Sequence, residues 1–268
     1  MEIELNNVPL PLLSTTDSRM SLLLWGPPGC GKTVLAASAP RKKLLINFDP
    51  DGPSSLGGRD DIYLLDLSGE RNSIVDKFNN DDPYNVGKLL ADKEADISTV
   101  IVDSTTAYSQ LAVEKGISIT KGATLERPSP GAYGARNAIT LRMITSLLRV
   151  TKKTNTNIIF TSHEDAPTTA DDGTVMYITL ALGGKLCNQA ALQISEVWHM
   201  SDNGKERKLM VRPGRMRKPM KTRMFDASKS FEFTLRYDQN NGPDGEHSIA
   251  SFLAAWEKNN YSKLPIPS

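Results

Sequence analysis

Short apolar runs alternate with polar or amphipathic segments from the start of the chain to about residue 165. Five runs predict buried strands, and they cover residues 20–25, 43–48, 62–67, 99–103 and 158–163. Helical periodicity lies between them, most clearly where apolar residues recur every three or four positions over residues 134–153. Because strands that alternate with helices pair in parallel, this pattern predicts an α/β fold with a doubly wound, mostly parallel sheet and helices on both faces.

After residue 165 the pattern becomes β-rich. Residues 194–200 and 208–212 predict two strands joined by a hairpin turn. Apolar and polar residues alternate at residues 231–235, which is typical of a further strand. An amphipathic helix is predicted over residues 249–258. The C-terminal flank is therefore expected to be antiparallel. The predicted division is an N-terminal arm (1–18), a single core (19–240) and a C-terminal tail with a short helix (241–268).

The first apolar run leads into a glycine-rich loop and a short helix. The loop matches G-x-x-x-x-G-K-[ST], whose glycines let backbone N–H groups point inward at a triphosphate. The residues predicted to bind the nucleotide are Gly26, Pro27, Pro28, Gly29, Cys30, Gly31, Lys32 and Thr33. Lys32 would reach the β- and γ-phosphates, and the Thr33 hydroxyl would bind Mg²⁺. The chain is therefore expected to bind ATP or another nucleoside triphosphate.

Overall composition adds few constraints. The chain has 268 residues and a net charge of +1, so its overall charge predicts no partner. No apolar stretch is long enough to span a membrane, so no contact with a membrane is expected. Two cysteines, one of them inside the glycine-rich loop, favour a protein of the reducing cytoplasm over a disulfide-stabilised one.

Several polar side chains follow predicted strands and are candidates for chemistry. Asp103 ends a buried strand, where parallel sheets bind ligands, and is expected to hold Mg²⁺ through water; a solvated aspartate is the alternative. Asp49 and Asp51 flank the end of another strand, and either could orient an attacking water, although Asp-Pro-Asp-Gly also makes a good turn. His163 would face the γ-phosphate and sense its loss, unless it is simply a buried or loop histidine.

The main charge asymmetry lies between residues 205 and 223. This stretch has nine basic residues and a single acidic one, Glu206. The basic residues are Lys205, Arg207, Lys208, Arg212, Arg215, Arg217, Lys218, Lys221 and Arg223. A solvated hairpin face would explain them, but the cluster also favours phosphate binding, either to nucleic acid or to a neighbouring subunit's nucleotide. Lys221 and Arg223 would project from the same face of a strand, since they are two positions apart.

These motifs resemble those of RecA-like recombinases. Residues 99–107 resemble the Walker B strand and the turn after it. Residues 131–164 resemble the next helix and strand of that family, which end in a polar sensor residue, here His163. The resemblance covers about residues 20–225 and implies a RecA-like fold with ATPase activity. Asp49-Pro50-Asp51-Gly52 is similar to the Asp-Thr-Glu-Gly segment of the superfamily, which implies that Asp51 is the catalytic carboxylate.

The resemblance also implies a composite site. Lys221-Thr222-Arg223 resembles the Lys-x-Arg finger of RecA-like ring helicases and related ATPases, which enters the neighbouring subunit's site. Lys221 and Arg223 would therefore act across an interface in a homo-oligomeric ring or filament. The implied catalytic residues are Lys32, Asp51, Asp103, His163, Lys221 and Arg223.

DNA binding is implied by two further segments. The loops at residues 118–133 and 165–185 fall where RecA-like proteins carry their DNA-binding loops. They show no obvious set of aromatic side chains for stacking, so binding to the backbone of single-stranded DNA is expected. The chain most resembles small phage-encoded RecA-like ATPases of the single-strand annealing group. That resemblance implies DNA-stimulated ATP hydrolysis in phage recombination or annealing, with a single-strand-binding protein as a further partner.

An AAA+-type assembly or motor protein without DNA contact is the alternative. The loop start at residues 26–29, Gly-Pro-Pro-Gly, is commoner in AAA+ proteins. However, the sequence predicts no helical lid domain after residue 165, where AAA+ proteins place one. A small-molecule kinase is a third hypothesis, but the basic, β-rich flank offers no obvious acceptor pocket.

Overall fold

The apolar runs of the sequence form the strands of one main sheet in the computed structural model. The structure describes residues 3–5, 8–10, 19–50, 52–214, 216–238 and 242–267. Asp51 and Arg215 lie outside these ranges, as do most of the predicted N-terminal arm and the boundary predicted at residue 240. The division into arm, core and tail therefore stays a prediction.

Within the described chain the main sheet has eight strands. They are β1 (Ser21–Gly26), β2 (Lys43–Asn47), β3 (Ile62–Asp66), β4 (Thr99–Asp103), β5 (Asn157–His163), β6 (Glu196–Asp202), β7 (Arg207–Met210) and β8 (Glu232–Leu235). Their order across the sheet is β8-β7-β6-β1-β5-β4-β2-β3. All pairs from β6 to β3 are parallel, whereas β7 and β8 extend the sheet antiparallel.

Helices cover both faces of this sheet. They are α1 (Lys32–Ala37), α2 (Ile74–Phe78), α3 (Val86–Ala91), α4 (Thr105–Ile119), α5 (Pro130–Lys153), α6 (Leu186–Gln193) and α7 (Ile249–Lys258). Successive strand residues point to opposite faces, so Leu23 and Trp25 of β1 pack in the core with α4 and α5. Leu22 and Leu24 pack in the opposite core with α1 and α7. The predicted architecture is confirmed: a doubly wound, mostly parallel α/β sheet with helices on both faces and an antiparallel C-terminal flank.

Short elements complete the described chain. Two 3₁₀ turns span Gly52–Leu56 and Pro83–Asn85, and paired short strands span Ile3–Leu5, Val8–Leu10, Thr168–Thr169, Val175–Tyr177, Phe225–Asp226, Tyr237–Asp238, Gly242–Pro243 and Leu264–Pro265. The sequence pattern does not predict α6, because eight residues carry too little periodicity for a helix to be distinguished from a loop. None of the helices in the described ranges is both long and apolar enough to cross a membrane.

The carboxyl ends of the central strands meet at one edge of the sheet. Gly26, the last residue of β1, pairs with His163, the last residue of β5. Asn47 pairs with Asp103 in the same way at the ends of β2 and β4. The register therefore brings the glycine-rich loop, His163 and Asp103 to the same edge, although they are up to 137 positions apart in the chain.

Candidate nucleotide-binding site

The glycine-rich loop joins β1 to α1 at this edge. Gly31, directly before α1, has a φ of 98°, in the left-handed region that favours glycine. A Cβ at Gly26 would overlap the carbonyl oxygen of Met200, because β6 passes close to the loop. Both positions therefore require glycine for the backbone path, as the phosphate-loop motif predicts.

Lys32 lies beneath this loop with only 6% of its surface exposed. Its Nζ donates hydrogen bonds to the carbonyl oxygens of Gly26 at 3.1 Å and Pro27 at 2.7 Å. Burial lowers the pKa of Lys32, while the neighbouring Cys30 and Asp103 oppose this effect. The ammonium is thus held at the floor of the loop, where it can neutralise a bound anion.

Thr33 and Asp103 contact each other directly. The Thr33 hydroxyl donates to the Asp103 Oδ2 at 2.7 Å, and the Thr161 hydroxyl of β5 donates to the Asp103 Oδ1. Asp103 is 4% exposed, and each of its carboxylate oxygens accepts a hydrogen bond from a neutral hydroxyl. The pair offers one hydroxyl and one carboxylate oxygen to a cation.

His163 lies between Lys32 and Asp49. Its Nε2 is 3.6 Å from the Asp49 Oδ2, and its Nδ1 is 3.5 Å from the Lys32 Nζ. Burial alone would raise the pKa of Asp49, but the neighbouring His163 and Ser104 and the charge of Lys32 lower it. Asp49 is therefore ionised at neutral pH. Asp51, the predicted catalytic carboxylate, lies outside the described residues, so its role stays a prediction.

These side chains surround one cavity of about 580 Å³. Its lining residues are Pro28, Gly29, Gly31, Lys32, Thr33, Val34, Asp49, Pro50, Gly52, Ser55, Asp103, His163 and Arg207. The volume lies within the range of pockets for drug-sized ligands and is sufficient for a nucleotide. The cavity thus extends from the ends of β2 and β4, past the loop, to β7 on the other side of β1.

The donor set fits Mg²⁺ in the way that nucleotide-dependent enzymes hold it. In the described parts of the chain, no group of three or more His, Cys, Asp or Glu side chains could hold a metal alone. Mg²⁺ is usually bound by one or two protein oxygens together with substrate phosphates and water. Thr33 and Asp103, 2.7 Å apart at the floor of the cavity, can supply such a partial set.

Lys221 and Arg223 are absent from the described lining of this cavity. Lys221 forms an isolated β-bridge with Val197 on β6, and its Nζ donates to the carbonyl oxygen of Leu192 at 3.4 Å. The structure therefore does not bring the predicted finger residues together with Lys32 of the same chain. Arg207, from the same basic stretch, does line the cavity, and sequence reasoning did not single it out.

The segment that carries Lys221 and Arg223 is fixed by a buried carboxylate, Glu196, which is 1% exposed. Its Oε1 accepts from the backbone N–H groups of Arg223 at 2.7 Å and Met224 at 3.2 Å. Its Oε2 accepts from the hydroxyl of Thr222 at 2.7 Å and the indole of Trp198 at 2.9 Å. The sequence carries no signal for this role beyond a glutamate at the start of an apolar strand.

Each of the two predicted DNA loops carries an exposed tyrosine beside a cation. The Arg136 guanidinium lies 5.2 Å from the ring centre of Tyr133, which is 41% exposed. The Lys218 Nζ lies 5.8 Å from the ring centre of Tyr177, which is 37% exposed. Tyr133 and Arg136 both lie on α5, whereas Tyr177 and Lys218 come from different segments. The two predicted segments therefore present exposed aromatic faces on which bases could stack.

Comparison with known proteins places the chain in a family. The model of the family described as an AAA domain matches residues 18–230. The crystal structure of the RadB recombinase is similar, with a TM-score of 0.47 and 12% sequence identity over 84% of this chain and 90% of that chain. No curated protein matches the sequence.

Proposed function

The chain belongs to the AAA-domain family of P-loop proteins, and from that premise we propose that it is an ATPase of the RecA-like class acting on single-stranded DNA. One observation carries the proposal. Lys32, Asp103 and His163 are distant in sequence but line one cavity beside the glycine-rich loop, at the carboxyl edge of a parallel sheet. Ligands bind at this edge in α/β folds, and these groups suit a nucleoside triphosphate.

The triphosphate would lie on the backbone N–H groups of the loop at residues 26–33, to which Pro27 and Pro28 contribute none. Lys32 would neutralise the β- and γ-phosphates, since its ammonium is buried at the floor of the loop. Thr33 would hold Mg²⁺ through its hydroxyl, and Asp103 would hold it through water. When bound, the ion would neutralise phosphate charge as hydrolysis proceeds.

A carboxylate is needed to orient the attacking water. Asp49 is supported by its position in the cavity, its lowered pKa and its contact with His163. Asp51 remains the candidate that the family resemblance implies. His163 would sense the γ-phosphate, because its ring contacts both Asp49 and Lys32 and loss of the phosphate charge would change the electrostatic field at that ring.

Lys221 and Arg223 would complete the cavity of a neighbouring copy of the chain. Their absence from the described lining of their own cavity supports an action in trans. Glu196 would hold them in place, since its carboxylate binds the backbone of Arg223. A finger that enters the next subunit requires a repeating head-to-tail interface, so the working unit would be a homo-oligomeric ring or filament.

Single-stranded DNA would lie along the loops at residues 118–133 and 165–185. Tyr133 and Tyr177 offer exposed ring faces for bases, and the cations beside them can contact phosphates. Gly183 of the second loop packs against the Arg136 guanidinium, so Arg136 connects the two loops. This arrangement supports a shared path for one strand.

The resemblance to phage-encoded annealing ATPases supports a role in phage recombination or strand annealing in the host cytoplasm. A single-strand-binding protein would then be a further partner. An AAA+-type assembly or motor protein without DNA contact is the alternative, and the AAA-domain family match is the observation that favours it.

The test is the rate of ATP hydrolysis with and without single-stranded DNA at about 50 and 200 mM salt. We expect DNA to stimulate hydrolysis, and the stimulation to weaken at the higher salt because phosphate contacts release counterions. Equal rates with and without DNA at both salt concentrations would contradict the DNA part and favour the AAA+ alternative. No hydrolysis by the wild-type protein under any condition would contradict the ATPase itself.

Matched variants separate stacking from general charge. We expect the double variant Tyr133→Ala, Tyr177→Ala to lose most DNA stimulation while keeping the basal rate. The double variant Tyr133→Phe, Tyr177→Phe keeps both rings and should retain the stimulation. Lys32→Ala serves as the control for hydrolysis by contaminating enzymes.

A further inference from the structure

We propose that Arg207, supported from behind by Tyr237, forms the surface on which the base of the bound nucleotide stacks. The inference rests on the proposed function in one respect, that the cavity binds ATP. It adds which residues recognise the nucleoside. Neither residue is assigned by the phosphate-loop motif or by the family resemblance, and neither belongs to the finger at Lys221 and Arg223.

Arg207 and Asp103 line the cavity from strands on opposite sides of β1. Arg207 begins β7, which lies two strands from β1 on one side, whereas Asp103 ends β4, two strands from β1 on the other. Both side chains nevertheless line the same cavity. The γ-phosphate and Mg²⁺ would lie at the end lined by Thr33, Asp103 and His163. The nucleoside of the same ligand would therefore lie at the end lined by Arg207.

The Arg207 guanidinium has a fixed plane. Its central carbon lies 4.4 Å from the centre of the Tyr237 ring, the shortest separation among the described cation–ring pairs. Its Nε donates to the Asp202 Oδ2 at 2.9 Å across the β6–β7 hairpin. The guanidinium is therefore held by a ring on one side and a carboxylate at its edge, which reduces the entropy lost when a ligand stacks on it.

Arg207 and Tyr237 differ in whether they line the cavity. Arg207 is part of the described lining of the cavity, whereas Tyr237 is not. Both residues adjoin the phosphate loop: a Cβ at Gly31 would lie 3.6 Å from the Arg207 Nε and 3.5 Å from the Tyr237 hydroxyl. Val34, on the first turn of α1, lines the cavity beside them.

The chemistry suits a nucleobase. A planar, weakly hydrated guanidinium stacks on aromatic rings, and stacking on a base satisfies its second face as Tyr237 satisfies the first. Val34 would supply apolar contact. The adjacent phosphate loop would hold the phosphates of the same nucleotide, so the two sites lie in the order that a nucleoside triphosphate requires.

The test compares the dissociation constants of ATP and inorganic triphosphate, measured by calorimetry on the wild-type, Arg207→Ala and Arg207→Lys proteins. Stacking predicts that Arg207→Ala raises the dissociation constant for ATP about tenfold. The constant for triphosphate, which has no base, should change less than about twofold. Arg207→Lys should behave like Arg207→Ala toward ATP, because a lysine keeps the charge but not the plane.

Glu232→Ala is the matched control. It removes the ion pair between Lys208 Nζ, next to Arg207 on β7, and Glu232 Oε1 on β8 at 3.2 Å, and should leave both constants unchanged. Equal weakening of ATP and triphosphate in Arg207→Ala would mean that Arg207 binds phosphate, which would overturn the proposal. Full retention of ATP binding by Arg207→Lys would overturn it as well. If the wild-type protein binds triphosphate but not ATP, the proposed function fails first and the inference fails with it.

Discussion

The nucleotide cavity has two walls that arise in different ways. The central wall is formed by Asp49, Asp103 and His163, which follow or end parallel strands. The flank wall is formed by Arg207 from the antiparallel part of the sheet, with Tyr237 behind it. The central wall carries the groups suited to phosphate chemistry, and the flank wall carries a planar cation suited to recognition. We therefore expect substitutions in the central wall to change the rate of ATP hydrolysis and substitutions in the flank wall to change the affinity for ATP.

The largest effect is expected from Asp103→Asn in the central wall. The amide keeps the size of the carboxylate and can still accept from the Thr33 hydroxyl, but it cannot hold Mg²⁺ as strongly. We expect kcat to fall by a factor of about 100–1000, with little change in the affinity for ATP measured without Mg²⁺. Steady-state kinetics and nucleotide titration on the same preparation measure the two quantities.

Asp66→Asn is the matched control for this variant. Asp66 also ends a strand of the sheet at the carboxyl edge, where Asn47 donates to it at 2.9 Å, but it is not in the described cavity lining. Its kcat should stay within about twofold of wild type, since Asp66 touches no reacting group. If Asp103→Asn keeps full activity, or if both variants lose activity equally, the proposal that the central wall carries the hydrolysis chemistry is contradicted.

The two walls also differ in how far the sequence predicts them. Asp103 and His163 end strands that contain apolar runs, and the carboxyl ends of parallel strands share one edge, so local pattern is sufficient to place them. The glycine-rich loop is a continuous motif and needs no tertiary information. The parallel part of the main sheet is predictable for the same reason, since each of those strands contains a separate apolar run.

The flank wall depends on contacts that no local pattern encodes. Arg207 is one of nine basic residues within 19 positions, and only the register of β6 against β7 selects it to line the cavity. Tyr237 reaches it from beyond β8, 30 positions later in the chain. A choice between Asp49 and Asp51 likewise needs tertiary information, because turn geometry decides which carboxylate of Asp-Pro-Asp points inward.

The second-largest effect is expected from Arg223→Ala, which tests whether a neighbouring subunit supplies a third wall of the cavity. We expect Arg223→Ala to lower kcat about 100-fold or more, because a finger stabilises charge on the transferred phosphate. Mixing it equally with Asp103→Asn protein should restore hydrolysis to about a quarter of the wild-type rate, since a quarter of random head-to-tail interfaces pair an intact cavity with an intact finger. Hydrolysis rates across a series of mixing ratios measure this effect.

Arg212→Ala is the control for the mixing experiment. Its guanidinium donates to the carbonyl oxygen of Ala227 at 2.8 Å within its own chain, so mixing should not change the rate of that variant. A mixture of Arg223→Ala and Asp103→Asn proteins that never exceeds the sum of its parts would argue that each cavity is complete within one chain.

The third effect is on stability and concerns Glu196, whose carboxylate holds the segment that carries Lys221 and Arg223. Glu196→Ala leaves two backbone N–H groups and two side-chain donors without their buried acceptor. We expect the free energy of unfolding to fall by about 3 kcal/mol, as measured by urea denaturation. Glu196→Gln keeps one acceptor oxygen and should lose less. A loss for Glu196→Ala below about 1 kcal/mol would show that other contacts hold the segment.

The smallest effect is a change in stability, and it is expected from a substitution of Asp61 at the amino edge of the sheet, opposite the cavity. Lys43, at the start of β2, donates to Asp61, whose other oxygen accepts from the Arg59 Nε at 3.1 Å. Burial alone would raise the pKa of Asp61, but Arg59 and Lys43 lower it to about 2. Because the folded pKa lies below the unfolded value, the ionised carboxylate stabilises the protein above about pH 4, and this stability is lost as the pH falls toward 2.

Asp61→Asn should therefore lower the free energy of unfolding by about 1 kcal/mol at pH 7, after allowance for solvent screening, and by progressively less below pH 4. Urea denaturation at several pH values measures the difference. ATP hydrolysis should stay within about twofold of wild type, since the amino edge of a parallel sheet carries stability rather than ligand contacts. Asp81→Asn, which removes the exposed pair with Arg149, is the control and should cost less than about 0.5 kcal/mol. A loss of hydrolysis in Asp61→Asn comparable to that in Asp103→Asn would mean that the two edges of the sheet do not divide stability and function in this way.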